Sequence, residues 1–233
     1  MLSSWSLPRK PGPYGLTIRY GNGTGSAVTQ QLAVNGDSGV SVSYQPTGGP
    51  DTFATLHSTV QLRAGLNLIR LSQGDQAAAA DLVSLDYIEV RAYRARYEAE
   101  QAQISDANIT ISDPNNFFST YSSNGAYVAQ INNLDSYVDF TVNAPVGGTY
   151  RMTIHYTNGT KVDSQQGLSV NSGPFTFVTY PPTQGWGLFG LLDVNVQLQN
   201  GVNHIRLAKG DPSFGLAVGY AELDCIDLEY LYP

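Results

Sequence analysis

Apolar and polar residues alternate with a period of two through most of this chain. Across residues 150–156 (YRMTIHY), Met152, Ile154 and Tyr156 share one face. Across residues 137–142 (YVDFTV), Val138, Phe140 and Val142 point inward, and Tyr137, Asp139 and Thr141 outward. Val196 with Leu198, and Ile205 with Leu207, continue the pattern. Successive side chains of a strand leave on opposite faces, so this alternation predicts half-buried strands. Turn-forming clusters (NAPVGG, TNGT, NSGP, QNG, KGDP) interrupt it at short intervals. Only two windows predict helix: residues 94–104 (RARYEAEQAQI), short and without a clean apolar stripe, and a single turn within residues 75–83 (DQAAAADLV). Many short, evenly spaced strands predict an all-β chain built as β-sandwich.

The pattern repeats. TIRYGNGT at residues 17–24 returns as TIHYTNGT at residues 153–160. At this offset of 136, residues 14–75 meet residues 150–211 without a gap, and 28 of 62 positions are identical. The spacing then slips by two, and LDYIEV (85–90) meets LDCIDL (223–228). A period this long is a whole domain rather than a solenoid unit. The sequence therefore predicts a complete module over 97–233 and an incomplete one over 1–93, since nothing in the first copy answers to residues from 98 to about 139. The inequality favours a piece of a longer protein over a naturally reduced module leaning on its neighbour. The opening MLSSWSLPRKPG has no apolar h-region and does not read as a signal peptide.

Charge narrows the partners. The net charge is −7, the pI about 4.7, and Lys10, Lys161 and Lys209 are the only lysines. Such a chain is repelled by phosphate backbones, which argues against nucleic acid. No apolar run reaches the length of a membrane span. Abundant Tyr, Asn, Gly, Ser and Thr give the texture of a secreted, extracellular β-protein. Cys225 is the sole cysteine, so no intrachain disulfide forms, and it reads as a small buried hydrophobe. N-x-T sequons stand at Asn22, Asn108 and Asn158. Asn22 and Asn158 share one repeat position, where Asn-Gly between strands predicts a type I′ hairpin with no need of a sugar.

Catalysis finds little support. His57, His155 and His204 have Asp193, Arg19 and Leu68 as their counterparts in the other copy, so no histidine belongs to a shared site. No nucleophile elbow or zinc-helix motif occurs. Asp224 and Asp227 lie three apart on a predicted strand, hence on opposite faces.

The second copy reads YEAE, YSSNGAYVAQI, SYVDFTVNAPVGGTYRMTIHYTNG, LSVN, PPTQGWGLF, VQLQNGVNHIRL and LDCIDL, in that order. This series resembles carbohydrate-binding module family 35, and its close relative family 6. The resemblance spans nearly all of the second copy and the last two-thirds of the first. It implies tandem jelly-roll β-sandwich modules, the first N-terminally incomplete, with a structural calcium and a glycan site in the loops at one end. Glu98 and Glu100, at i and i+2, would on a strand project to one side, where two carboxylates repel unless a cation lies between them. The resemblance adds Asp224 to this Ca2+ set; the first copy keeps Asp86 but has no EAE. It also implies Trp186 as the surface that stacks on a sugar, with Tyr121 as a second aromatic and Asn124 as its polar neighbour. In the final loop, DPSFGLAVGYAE, Phe214 and Tyr220 are candidates, but the asparagine common in the family is missing. The structural alternative places Trp186 in the core. The first copy has Pro50 at the Trp186 position and no aromatic in DQAAAADLVS, so it is expected to act as a spacer or packing platform.

The function so implied is a non-catalytic region of a secreted glycoside hydrolase or lyase, binding an oligosaccharide or polysaccharide of plant or fungal cell walls. Uronate-, mannan- and galactose-containing chains all remain open as ligands. The alternative is a purely structural accessory that packs on an attached catalytic domain without binding glycan.

Overall fold

The computed structural model describes residues 8, 10–49, 51–73, 83–111 and 121–232. The chain divides into two compact units, Met1–Tyr93 and Arg94–Pro233.

The second unit carries strands β7 (Arg94–Glu98), β8 (Gln103–Ser105), β9 (Asn108–Ile111), β10 (Ala126–Ala129), β11 (Tyr137–Ala144), β12 (Gly148–Thr157) and β13 (Ser164–Val170). There follow β14 (Thr176–Tyr180), β15 (Gly190–Leu198), β16 (Gly201–Ala208), the short β17 (Gly210–Asp211) and β18 (Gly215–Leu216), and β19 (Glu222–Tyr232). One sheet runs β15-β12-β19-β10-β9, with β7 also paired to β19; the other runs β14-β13-β16-β11-β8. The alternating residues fill the space between them: Phe140, Met152, Ile154, Tyr180, Ile205, Leu207 and Ile226 are almost fully buried. Tyr156 of one sheet meets Tyr180 of the other at 4.9 Å between ring centroids. Each such side chain contributes about 1.5–3 kcal/mol of transfer free energy, which makes this core the main stabilising element. The fold is an all-β jelly-roll sandwich.

The first unit carries β1 (Gly12–Gly21), β2 (Val28–Val34), β3 (Val40–Tyr44), β4 (Ala54–Leu62), β5 (Ile69–Ser72) and β6 (Ser84–Ala92). Its sheets run β4-β1-β6 and β3-β2-β5. β4 and β15 have identical bounds once shifted by 136, as do β2 and β13. Gly12 and Gly148, which open β1 and β12, share a φ near 148°. Among the described residues, nothing in this unit pairs with the second edges of β5 and β6, where β11 and β10 stand in the second unit. The consequence is local. Ile69, Leu71, Ile88 and Val90 are only partly buried, whereas their counterparts Ile205, Leu207, Ile226 and Leu228 are at most 1% exposed.

Three local expectations are corrected. The helical window at 94–104 is β7, a 3-10 turn over Ala99–Gln101, and β8. The second unit begins at Arg94 rather than 97 because Arg94 and Arg96 pair in register with Glu229 and Asp227, and the Arg96 guanidinium grips both Asp227 oxygens at 2.9 Å. The turn proposed within 75–83 falls, apart from Val83, outside the described residues.

The third correction concerns Asn-Gly. Neither Asn22 nor Asn158, nor the glycine after each, has the positive φ that a type I′ turn needs. Both asparagines are fully buried. Asn158 Nδ2 donates to the Val162 and Tyr180 carbonyls at 2.9 Å, while its Oδ1 accepts from the Thr160 backbone N–H and hydroxyl. Asn22 does the same with Ser26, Tyr44 and Thr24. The N-x-T pattern here is an internal loop clamp. Asn108, by contrast, is exposed on β9.

Candidate functional site

The three acidic residues share neighbours in one turn, although they do not form a set whose oxygens all lie within 4.8 Å of one another. Glu98 ends β7 and Glu100 lies in the 3-10 turn. The turn over Ser123–Gly125 gathers them. Ser123 Oγ donates to Glu98 and Ser123 N donates to Asp224 Oδ1 at 2.9 Å. Asn124, held at φ 49°, donates from Nδ2 to Glu100 Oε1 at 2.9 Å. Asp224 sits at a β-bulge: the register between β12 and β19 shifts between His155 and Tyr156, which re-aims a side chain out of strict alternation. Burial pushes the Asp224 carboxyl up to about 6, and the Glu98 charge adds to this, against the opposing pull of the Ser123 hydrogen bonds. Glu100 Oε2 is buried with no hydrogen-bond partner. Carboxylate oxygens with one left unsatisfied fit a hard cation such as calcium.

His155 and Cys225 also lie within 4.8 Å of Asp224. However, His155 Nε2 is engaged with Asp227 at 3.1 Å, and burial pushes the Cys225 thiol up to about 12.

In the first unit the same bulge recurs at Asp86. There Arg19 stands where the second unit has His155, and it forms an ion pair with Asp86. The guanidinium also lies 4.4 Å from the Phe53 ring centroid.

A shallow cleft of about 170 Å³ lies between Trp186, Tyr220, Ala221, Glu222, Gln130, Ile131 and Asn132. Trp186 is half-buried, and it packs so tightly on Gly159 that any β-carbon there would enter the indole ring. Its loop is fixed at several points. Thr183 N donates to the Asn158 carbonyl at 2.8 Å, and Thr157 Oγ1 to the Gly185 carbonyl at 3.0 Å. Phe189 meets Tyr127 edge-on at 5.5 Å. Tyr220 is 51% exposed, with its backbone N–H donating to Ser164 Oγ at 2.9 Å. Glu222 opens β19 opposite Thr157. Burial pushes its carboxyl up to about 7, despite a hydrogen bond from the Gln130 backbone.

Of the five residues singled out for sugar contact, Trp186 and Tyr220 line this cleft. Asn124 belongs to the acidic cluster, and the exposed Tyr121 precedes that turn. Phe214 lies elsewhere, edge-on to Phe175 and Phe177 at 5.1 and 5.2 Å and over Gly167. Glu222, Gln130 and Asn132 join the lining without any motif in the sequence to mark them. The signal available for Glu222 is its place immediately before LDCI, where the family pattern offers a polar contact from asparagine. At the corresponding register the first unit has Ser84 opposite Gly21. Pro50, the counterpart of Trp186, lies outside the described residues.

A jelly-roll sandwich with an aromatic cleft among its loops is the class of the carbohydrate-binding modules. Within it, the chain resembles family 35. Over 58% of its length it aligns with 98% of a family 35 carbohydrate-binding module from Clostridium thermocellum, at 28% identity and a TM-score of 0.50. It also aligns over 94% of its length with 35% of the Arthrobacter globiformis T6 isomalto-dextranase complexed with panose, at 17% identity and a TM-score of 0.50, a likeness of fold alone. A curated relative, the 1,6-alpha-glucosyltransferase of Sporosarcina globispora, is 28% identical over 198 residues, 83% of this chain. The chain spans about 15% of that relative's length. No protein-family model matches the sequence.

Proposed function

We propose that this chain is a non-catalytic carbohydrate-binding region of a secreted, glycan-active enzyme, and that its second unit holds the glycan against Trp186. The observation that carries this reading is the cleft itself. Trp186 offers an indole ring whose apolar face suits the C–H side of a pyranose, and Tyr220 lines the same cleft. Glu222, Gln130 and Asn132 supply polar groups for hydroxyls. Glu98, Glu100 and Asp224 would hold calcium, which supplies positive charge to an otherwise repulsive cluster and so ties β7, β19 and the Ser123 turn together. In the described part of the chain, no helix is long and apolar enough to cross a membrane.

Two ligand classes follow from different supports. The family resemblance suggests polysaccharides of plant or fungal cell walls. The curated relative is named a 1,6-alpha-glucosyltransferase, which supports an α-1,6-glucan. Isothermal titration of the wild type and Trp186→Ala against both classes tests the reading. Binding in the micromolar to millimolar range is expected for so shallow a site, and it should vanish in the variant. A variant that binds as well as the wild type would make Trp186 structural, and a wild type that binds no glycan would leave the accessory-platform reading.

A further inference from the structure

We infer that Glu222 is the specificity-determining residue of the Trp186 cleft and that the cleft takes a neutral sugar, recognised through its hydroxyls, in preference to a uronate; this rests on the reading of the cleft as a glycan site. The carboxyl group opens β19 opposite Thr157 and lines the cleft with Trp186 and Tyr220. The Gln130 backbone N–H lies beside Glu222 and acts on its carboxyl group. A carboxylate has room for more than one donor, so acceptor positions remain for a ligand. The other polar side chains of the lining residues are the amides of Gln130 and Asn132, the Tyr220 hydroxyl and the Trp186 indole N–H, with Gln130 Oε1 already accepting from Asn108 Nδ2. Hydroxyl groups complement this set, since they donate to the carboxylate and accept from the amides.

A uronate meets the opposite situation. Its carboxylate would face Glu222 with no arginine, lysine or histidine among the lining residues to pair it. The nearby cation, Lys209, is committed elsewhere. Its ammonium donates to the carbonyls of Ala217 and Gly219 and is itself buried. A carboxylate taken out of water with no cation to pair it is costly, and that cost is a means of rejecting the wrong ligand. The first unit has Ser84 at the position of Glu222 and so lacks this group.

The test is a titration in calcium buffer of isomaltotriose, mannotriose, galactotriose and trigalacturonate. The proteins are the wild-type chain, Trp186→Ala and Glu222→Gln. The wild type should bind at least one neutral trisaccharide and bind trigalacturonate about tenfold more weakly or worse. Glu222→Gln should weaken the neutral ligand about tenfold while narrowing the gap to the uronate. The calcium-induced rise in its melting temperature should persist, which shows that its fold and metal cluster are intact. Equal or tighter binding of trigalacturonate by the wild type overturns the inference without any variant being needed. So does a Glu222→Gln protein that binds the neutral sugar unchanged while Trp186→Ala has lost it, and the glycan site then stands without this residue. If the wild type binds none of the four, both the site and its specificity fall together.

Discussion

The Lys209 ammonium lies 5.3 Å from the centroid of the Tyr220 ring. The same nitrogen donates to the carbonyls of Ala217 and Gly219, within the loop that presents Tyr220. A buried lysine is therefore the fastener of one wall of the cleft, and burial lowers its pKa. Lys209→Met keeps the apolar stem but leaves the two carbonyls unpaired. Each orphaned acceptor costs about 1–3 kcal/mol where water cannot reach it. A lower melting temperature and weaker glycan binding are expected together. Unchanged values of both, by calorimetry and titration, would show that the loop holds without the lysine.

Gly159→Ala tests the other wall. The added methyl group meets the Trp186 ring, which must move. Stability should fall by roughly 1–3 kcal/mol, as for overpacked sites generally. Tryptophan fluorescence should shift, and glycan affinity should drop further than the loss of stability explains. A normal spectrum and normal binding would mean that the indole does not rest on this glycine in solution.

Glu100→Ala addresses calcium. The wild type should melt higher in calcium than in chelator, because an ion that binds only the folded state stabilises it by mass action. Removing Glu100 also removes the buried, unpartnered Oε2, so the chelated variant should not be weakened in proportion. The calcium response should shrink or disappear. A full response in the variant would place the ion elsewhere.

The pH dependence has a definite sign. Both Asp224, raised to about 6, and Glu222, raised to about 7, favour the protonated form in the folded chain. In metal-free buffer their contribution is fully present below the ordinary carboxylate range and is lost as the pH rises through about 6 to 7. Together this is on the order of a few kcal/mol, since each tenfold gain in proton affinity on folding corresponds to about 1.4 kcal/mol. The chelated protein should melt higher near about pH 5 than near about pH 8, other groups being equal. Calcium should narrow the difference, because it favours ionised Asp224. A chelated protein that is more stable on the alkaline side contradicts this.

The alternation of Met152, Ile154 and Tyr156 is enough to read the inner face of the central strand, because period-two patterning is a direct imprint of burial. The repeat likewise carries strand bounds from one unit to the other. What the sequence conceals depends on contacts between distant segments. Glu98 and Glu100 are not placed by the geometry of one strand: Glu98 ends β7 and takes Ser123 as partner, while Glu100 lies in a 3-10 turn and takes Asn124. Glu222 is hard to single out because its significance comes from Trp186, 36 positions earlier, and from the backbone of Gln130. Phe214 reads as a loop aromatic available to ligand, but partners supplied by Phe175 and Phe177 draw it into a separate cluster.

The buried clamps at Asn22 and Asn158 bear on how this protein can be produced. In a host that attaches glycans to N-x-T as the chain emerges, modification and folding compete for the same amide nitrogen. Once a sugar is linked to Nδ2, that atom can no longer donate to both the Val162 and Tyr180 carbonyls, nor can the loop close around it. The outcome is kinetic: chains that fold first escape modification, and chains modified first cannot complete the sandwich. Expression in a glycosylating host should then divide the product into a soluble fraction free of sugar at these two positions and a retained, misfolded fraction carrying it, while the exposed Asn108 remains open to either fate.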